Sequence, residues 1–228
     1  MPLTPTTHRS TPRRAVSSAA TSLYAHHLFA ARHLAELAHD IERGHQGEAN
    51  PDAVRRHRAY VMGAVFAAAA FLESSINELY NELQAAGNGL PRRLLAVQTP
   101  FWSAEASPAI LHKYQLALLV ADAEPFDERR SPFRDVDSLL ALRDALMHGR
   151  RDRRVAPGRR QALERRLRTK FDENPFATEE APVFPDRVLG TGCASWAVRV
   201  AERFSDDFCR RMAIPARSRS TLVSPPDE

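Results

Sequence analysis

Apolar residues recur at helical spacing along most of this chain, and they predict a series of amphipathic helices. The first covers residues 17–43, where leucine and isoleucine recur on one face until Gly44 ends the helix. The second covers residues 51–86, begins at Pro51 and carries an apolar stripe at i, i+4, i+7 spacing. Further helices are predicted over residues 107–121, 131–148 and 193–212. No stretch alternates apolar and polar residues as a strand would, so we expect an all-α fold, a single bundle of about five helices.

The length of 228 residues suits one hydrophobic core better than two. Residues 1–15 and 214–228 lack apolar periodicity and are predicted to be disordered tails, which leaves a helical domain over residues 16–213. Within that domain, residues 150–190 are rich in Arg and Pro. They predict a loop insertion that contains one helical patch at residues 161–171.

An arginine, a carboxylate and a histidine lie together at the end of the helix predicted over residues 131–148. Asp144 and His148 are spaced i, i+4 and share a face, whereas Arg143 lies about 140° around the axis from His148. Arg binds phosphate oxygens and His moves protons near neutral pH, so a phosphodiester could bridge the two residues. In RNA, the 2′-hydroxyl could then attack the neighbouring phosphate without a metal. The same spacing equally fits an Arg143 that forms a salt bridge within the bundle and a His148 that only caps its helix.

Two further groups of polar residues could serve such a site. Glu73, Asn77 and either Tyr80 or Gln84 form a polar stripe on the second helix. They would line the cleft, or else form a buried or interfacial hydrogen-bond network. A basic apron follows the histidine and consists of nine arginines, Arg150, Arg151, Arg153, Arg154, Arg159, Arg160, Arg165, Arg166 and Arg168. It would attract RNA electrostatically, or it is a solvated linker.

Composition and missing motifs narrow the possible functions. The net charge is +4 and nearly all of the basic residues are arginine, which permits phosphate contact but equally reflects a biased genome composition. The zinc-protease, P-loop, dinucleotide-binding and hydrolase-elbow motifs are absent, so we expect no metal and no cofactor. No uninterrupted apolar run reaches the roughly 18 residues of a membrane span, so we expect that the protein neither spans nor binds a membrane. Cys193 and Cys209 would lie about 24 Å apart on one helix, too far for a disulfide, which favours a reducing cytoplasm.

Three segments resemble one known family. Pro132 and Phe133, then Asp137, then residues 139–144 with His148 resemble the signature helix of the HEPN family (higher eukaryotes and prokaryotes nucleotide-binding). That family's motif is an Arg, a polar residue, about three more positions and a His. Residues 71–79, FLESSINEL, are similar to the second helix of its RiboL-PSP and unassigned groups, and residues 193–197, CASWA, to their closing helix. These similar segments all lie within residues 17–212.

The resemblance implies a helical bundle, usually a homodimer, whose two motifs meet across the two-fold axis in one cleft. Many catalytic members are metal-independent ribonucleases of toxin–antitoxin, abortive-infection or CRISPR-linked defence systems. By this resemblance Arg143 would bind phosphate, His148 would act as acid or base, and Asp144 would fill the polar position. That position is more often Asn, so Asp144 places an extra negative charge beside a polyanion. Other members lack activity and serve as binding or scaffolding modules.

Three hypotheses follow. The first is a HEPN-like endoribonuclease that uses Arg143 and His148 from both subunits of a dimer formed through the second and fourth helices. Its expected role is that of a toxin or defence effector with an antitoxin partner. The second is a non-catalytic module that binds RNA, a nucleotide or a protein through the same cleft. The third is a structural helical dimer in which Arg143 and Asp144 form an ion pair at the interface.

Overall fold

Helices account for most of the part of the chain that the structure describes. The computed structural model describes residues 22–44, 50–85, 110–148 and 157–219. Its α-helices there are α1 Leu23–Arg43, α2 Pro51–Ala85, α3 Ile110–Val120, α4 Phe133–His148, α5 Pro157–Leu167 and α6 Thr191–Arg211. A π-helical turn, Val183–Arg187, precedes α6, and a 3-10 turn, Arg217–Arg219, follows it. These described ranges contain no strand, and the prediction of an all-α fold is confirmed.

The two longest predicted helices, α1 and α2, form an antiparallel pair at the centre of the fold. Small residues line their contact, and five of them are buried: Ala31, Ala35, Ala38, Ala64 and Ala68. At Gly63, an added Cβ would lie 2.9 Å from Leu34 Cδ1 on α1, so the side chain of Leu34 would have to move to admit even an alanine. Small side chains therefore allow these helices to approach closely.

The last helix, α6, packs against both α1 and α2 through the face that the sequence predicts. Trp196, Val200, Phe204 and Phe208 are all buried. The Phe204 ring is stacked on Phe126 at 4.6 Å between centroids and meets Tyr114 of α3 edge-on at 4.8 Å. Large aromatic side chains bury much apolar surface, so this cluster joins α3, α6 and the segment before α4 into one core.

A carboxylate from α1 ties the beginnings of α2 and α6 together. Glu42 Oε1 lies 2.6 Å from Nε2 of His57, which is 1% exposed, and it accepts a hydrogen bond from the Thr191 backbone N–H at 2.7 Å. Burial by itself would raise the pKa of Glu42, but the hydrogen bonds from His57 and from Thr191 outweigh that effect and lower it. The first N–H groups of a helix have no partner within the helix, and Glu42 satisfies one of them for α6.

The Arg-rich region differs from the prediction in where its helix lies. Helix α5 begins and ends four residues earlier than the predicted patch at residues 161–171. Leu163 and Leu167, one turn apart, are buried and anchor it. Beyond Leu167 the chain turns, and Phe171 packs on the Trp196 ring at 5.4 Å instead of continuing a helix. The position of this helix is therefore set by tertiary packing.

The chain after α6 packs back onto the bundle, so the tail predicted from residue 214 begins too early. Arg217 is 8% exposed, and its Nη2 donates to Glu82 Oε2 at 2.6 Å. Its guanidinium also lies over the Tyr24 ring at 4.8 Å. These contacts hold residues 214–219 against α1 and α2. The rest of that predicted tail, residues 220–228, and the tail predicted over residues 1–15 lie outside the described residues.

Helix α2 is long and apolar enough to cross a membrane by length and composition alone. Over residues 51–82 its most apolar window has a mean hydropathy of 1.6. Polar residues interrupt this window, so it contains no unbroken apolar run of that length. In the fold, 56% of that window is buried by the protein itself. The central core helix of a helical bundle meets the same criterion, which makes this signal weak evidence for a membrane span.

Candidate functional site

Arg143 and His148 line one groove between the C-terminal half of α4 and the middle of α2. This Arg143 groove has a volume of about 540 Å³ and is lined by Phe66, Ala70, Glu73, Arg143, Asp144, Met147 and His148. Leu139 and Leu142 of α4 are both 0% exposed and fix the rotation of the helix. His148 therefore points away from the core, whereas Arg143, one turn after Leu139, lies at the edge of the buried face and is 23% exposed. From these different positions the two side chains reach the same groove.

Two carboxylates hold Arg143 in place. Its Nε and Nη2 lie 2.9 and 2.7 Å from Asp144 Oδ1, and its Nη1 lies 3.7 Å from Glu73 Oε2 on α2. The Arg143 side chain is 23% exposed, so these ion pairs are partly shielded from water. Two carboxylates, Asp144 and Glu73, therefore share the one guanidinium of the groove.

Asp144 pairs with Arg143 and leaves His148 alone. The i, i+4 spacing would allow Asp144 to orient the imidazole, yet its carboxylate turns towards the neighbouring arginine. Within the described part of the chain, the imidazole of His148 makes no hydrogen bond. It is exposed at the end of α4, next to a Met147 side chain that is 63% exposed. The imidazole is therefore accessible to a ligand that enters the groove.

Helix α4 is anchored firmly at its other end, away from the groove. Lys170 Nζ donates to Asp135 at 2.7 Å, and Arg166 reaches Asp137 at 2.5 Å and Ser138 Oγ at 3.1 Å. Burial tends to raise the pKa of Asp135, but hydrogen bonds from Lys170 and Ser131 outweigh it and lower the pKa. Arg166 and Lys170 of the Arg-rich region thus stabilise the helix that carries the site.

The predicted polar stripe on α2 divides among three surroundings. Glu73 lines the Arg143 groove, whereas Asn77 Oδ1 accepts a hydrogen bond from Lys113 Nζ at 2.9 Å. The Tyr80 hydroxyl is buried and donates to the Lys113 backbone carbonyl at 2.9 Å. The side chain of Gln84 lies outside the described residues. The interpretation as a cleft lining therefore fits Glu73, and the interpretation as a buried network fits Tyr80.

Lys113 is a residue near the site that the sequence reasoning missed. It is one of two lysines in the chain, it lies in the apolar helix α3, and it is 7% exposed. Burial lowers the pKa of its ammonium group, and the nearby negative charge of Glu73 partly restores it. A lone lysine within an apolar stretch of an arginine-rich protein was the available sequence signal.

The first part of the basic apron, Arg150, Arg151, Arg153 and Arg154, lies outside the described residues. Later in the apron, Arg160 pairs with Glu164 at 3.1 Å and Arg166 pairs with Asp137 at 2.5 Å, so these two arginines make contacts within the fold. Within the residues that are described, no cluster of three or more His, Cys, Asp or Glu side chains could hold a metal ion. Cys193 and Cys209 are both free and buried.

Comparisons with protein-family models, with curated proteins and with solved structures give no match to this chain.

Proposed function

We propose that this protein is a HEPN-like, metal-independent endoribonuclease whose site is the Arg143 groove. The observation that carries the proposal is the placement of Arg143 and His148 in one open groove on the rigid scaffold of α2 and α4. A guanidinium binds phosphate oxygens, and an accessible imidazole can act as the acid or the base of phosphodiester transfer within RNA. A role as a toxin or defence effector, with an antitoxin or other protein partner, belongs to the same proposal.

The proposed reaction uses two copies of the chain. His148 accepts the proton of the ribose 2′-hydroxyl while the 2′-oxygen forms a bond to phosphorus. The bond from phosphorus to the 5′-oxygen breaks, and the protonated His148 of the partner subunit donates its proton to that oxygen. Arg143 stabilises the charge on the non-bridging oxygens. The products are a 2′,3′-cyclic phosphate and a free 5′-hydroxyl.

The rim of the groove supports a second copy of the chain as the neighbour. Met147 is 63% exposed, and Phe66 and Ala70 beside it on α2 are only partly buried. Accessible methionine and aromatic side chains beside a partly buried arginine match the residue types that are enriched in protein–protein interfaces. The proposed homodimer therefore forms through α2 and α4 and brings the two Arg143 grooves together.

The contact between Arg143 and Asp144 specifically favours a second candidate function. A guanidinium that already has two carboxylate neighbours resembles a structural lock more than an empty phosphate site. In this alternative the protein is a non-catalytic module that binds RNA, a nucleotide or a protein, or a structural dimer. RNA is then not cleaved, and Arg143 stabilises the association of α2, α4 and the partner copy.

Cleavage of labelled single-stranded RNA in the presence of EDTA tests the proposal. The wild type is compared with Arg143→Ala and His148→Ala, and the matched controls are the exposed Arg134→Ala on the same helix and His39→Ala on α1. We expect products that end in cyclic phosphate, lost in the first two variants and retained in the controls. Intact RNA with the wild type would refute the nuclease. A gel shift in that case would favour the binding module, and its absence would favour the structural dimer.

A further inference from the structure

A second cavity adjoins the Arg143 groove along α2. It has a volume of about 340 Å³ and is lined by Leu23, His27, Ser74, Asn77, Glu78 and Asn81. Ala70 and Glu73 line both cavities, so the two cavities are neighbours on α2. From Glu73 to Asn81, the second cavity follows α2 for about 12 Å, counted from the helical rise. We call this second cavity the amide cavity, after Asn77 and Asn81 in its lining. A ligand in the Arg143 groove can extend into it.

The carboxylates of the amide cavity are largely compensated. Glu78 Oε1 accepts hydrogen bonds from the backbone N–H groups of Leu23 and Tyr24 at 2.9 and 3.3 Å, and its Oε2 accepts one from Ser22 Oγ at 2.9 Å. The positive end of the α1 dipole stabilises this charge. Glu73 lies between Arg143, at 3.7 Å, and the ammonium group of Lys113, whose pKa it affects. The cavity therefore suits an uncharged polar group better than a phosphate or a metal ion.

The hydrogen-bonding groups of the amide cavity have fixed directions. Lys113 Nζ is a donor only, so its contact with Asn77 turns the amide oxygen inward and leaves the Asn77 NH₂ group for the cavity. Ser74 Oγ donates its proton to the Ala70 carbonyl at 2.6 Å, so the hydroxyl oxygen remains as an acceptor. The Asn81 side chain is exposed, and its amide makes no hydrogen bond within the described residues. The cavity thus offers at least one oriented donor, one oriented acceptor and one free amide.

We infer that the amide cavity is a base subsite, which holds one unpaired nucleobase of a single-stranded RNA whose adjacent phosphate occupies the Arg143 groove. This inference rests on the proposed function. A nucleobase is uncharged and presents donors and acceptors along its Watson–Crick edge, which Asn, Ser and carboxylate groups read in single-stranded RNA. A base in a duplex has that edge occupied and would not be bound, so the substrate class is unpaired RNA.

An abasic scan tests the subsite directly. A fluorescent six-nucleotide RNA, fully 2′-O-methylated so that it is not cleaved, and its six single-abasic versions are titrated in EDTA and followed by anisotropy. With the wild type we expect one abasic position to weaken binding about tenfold. With Asn81→Ala, that position no longer matters, and the variant binds the complete RNA as weakly as the wild type binds the abasic one. Asn77→Ala gives the same pattern if it folds, and Asn50→Ala, at the far end of α2, behaves as the wild type.

The possible outcomes separate the subsite from the nuclease. A flat abasic scan, or an Asn81→Ala variant that keeps the wild-type dependence on the base, overturns the base subsite even if unmodified RNA is cleaved through His148. A base-dependent interaction that disappears in Asn81→Ala, without cleavage of unmodified RNA, supports the subsite and overturns the nuclease. If no oligonucleotide binds, the subsite is refuted, and the cleavage assay with longer RNA decides the nuclease separately.

Discussion

Substitution of Glu42 by alanine should cost more stability than that of any exposed carboxylate, because Glu42 joins three helices. The change removes its short contact with His57 and its hydrogen bond from the Thr191 N–H. Hydrogen bonds to a charged group contribute about 1.5–3 kcal/mol each, so we expect a loss of about 3–5 kcal/mol. In a domain of this size the loss corresponds to a fall in Tm of about 10 °C.

Urea unfolding followed by circular dichroism measures the effect, and its pH dependence tests the cause. The folded protein lowers the pKa of Glu42, so the carboxylate stabilises the fold fully above the unfolded value of about 4.3. The stabilisation is lost as the pH falls through the lower folded value. The difference between wild type and Glu42→Ala should therefore be largest near neutral pH and shrink below about pH 4. Glu42→Gln should lie between the two, since it keeps neutral hydrogen bonds.

Glu36→Ala is the matched control, because Glu36 is an exposed glutamate on the same helix. It should change stability by less than about 0.5 kcal/mol. A double-mutant cycle with His57→Ala should give a coupling energy of about 1–3 kcal/mol. If Glu42→Ala and Glu36→Ala unfold at the same urea concentration, Glu42 does not stabilise the fold through these contacts. A stability deficit of Glu42→Ala that stays constant down to about pH 3 would show that the charge of Glu42 is not the cause.

Three further predictions concern backbone contacts, thiols and the groove. Gly192→Ala should destabilise the fold by about 1–3 kcal/mol in urea unfolding, because its Cβ would lie 2.8 Å from the Asp172 carbonyl oxygen, whereas Gly158→Ala meets nothing within 4 Å and should be neutral or stabilising. Burial raises the pKa of the Cys193 and Cys209 thiols, so both should react with a thiol reagent at the rate of unfolding; fast reaction of either in the native protein would contradict their burial. Asp144→Asn removes one negative charge beside Arg143 and should tighten RNA binding about fivefold by anisotropy at low salt; weaker binding would mean that Asp144 positions the arginine.

The fold could be predicted from the sequence wherever one helix carries its own signals. Gly44 and Pro51 set the end of α1 and the beginning of α2, and the aromatic spacing of α6 places its buried face correctly. Helix α5 could not be placed, because Leu163 and Leu167 are anchored by a core that only the tertiary structure creates. The docking of Arg217 after α6 was hidden for the same reason: an isolated arginine in a polar segment carries no periodicity.

The candidate site shows a similar division. Helical spacing predicts Asp144 and His148 on one face of α4, and both are exposed. Arg143, predicted about 140° from His148, is 23% exposed beside the buried Leu142. Spacing cannot choose between competing partners, however, and Asp144 bonds Arg143 instead of His148. Lys113 lies on α3 and contacts Asn77 of α2, so no local pattern in the sequence of α2 predicts this contact.

The pairing of Arg143 bears on both candidate functions, because a phosphate must compete with its carboxylates. The pairs lie at 2.7 and 3.7 Å on a partly exposed side chain, where each contributes at most about 1 kcal/mol. A polyanion that also contacts other basic groups can outweigh such pairs, while a single free phosphate gains little. The ion pairs hold the arginine in position between α2 and α4, and a ligand must compensate the free energy of displacing them. They therefore favour ligands that bind at several points over small anions. Under the proposed function, an extended RNA that reached from the Arg143 groove into the amide cavity would meet that condition, and inorganic phosphate would not.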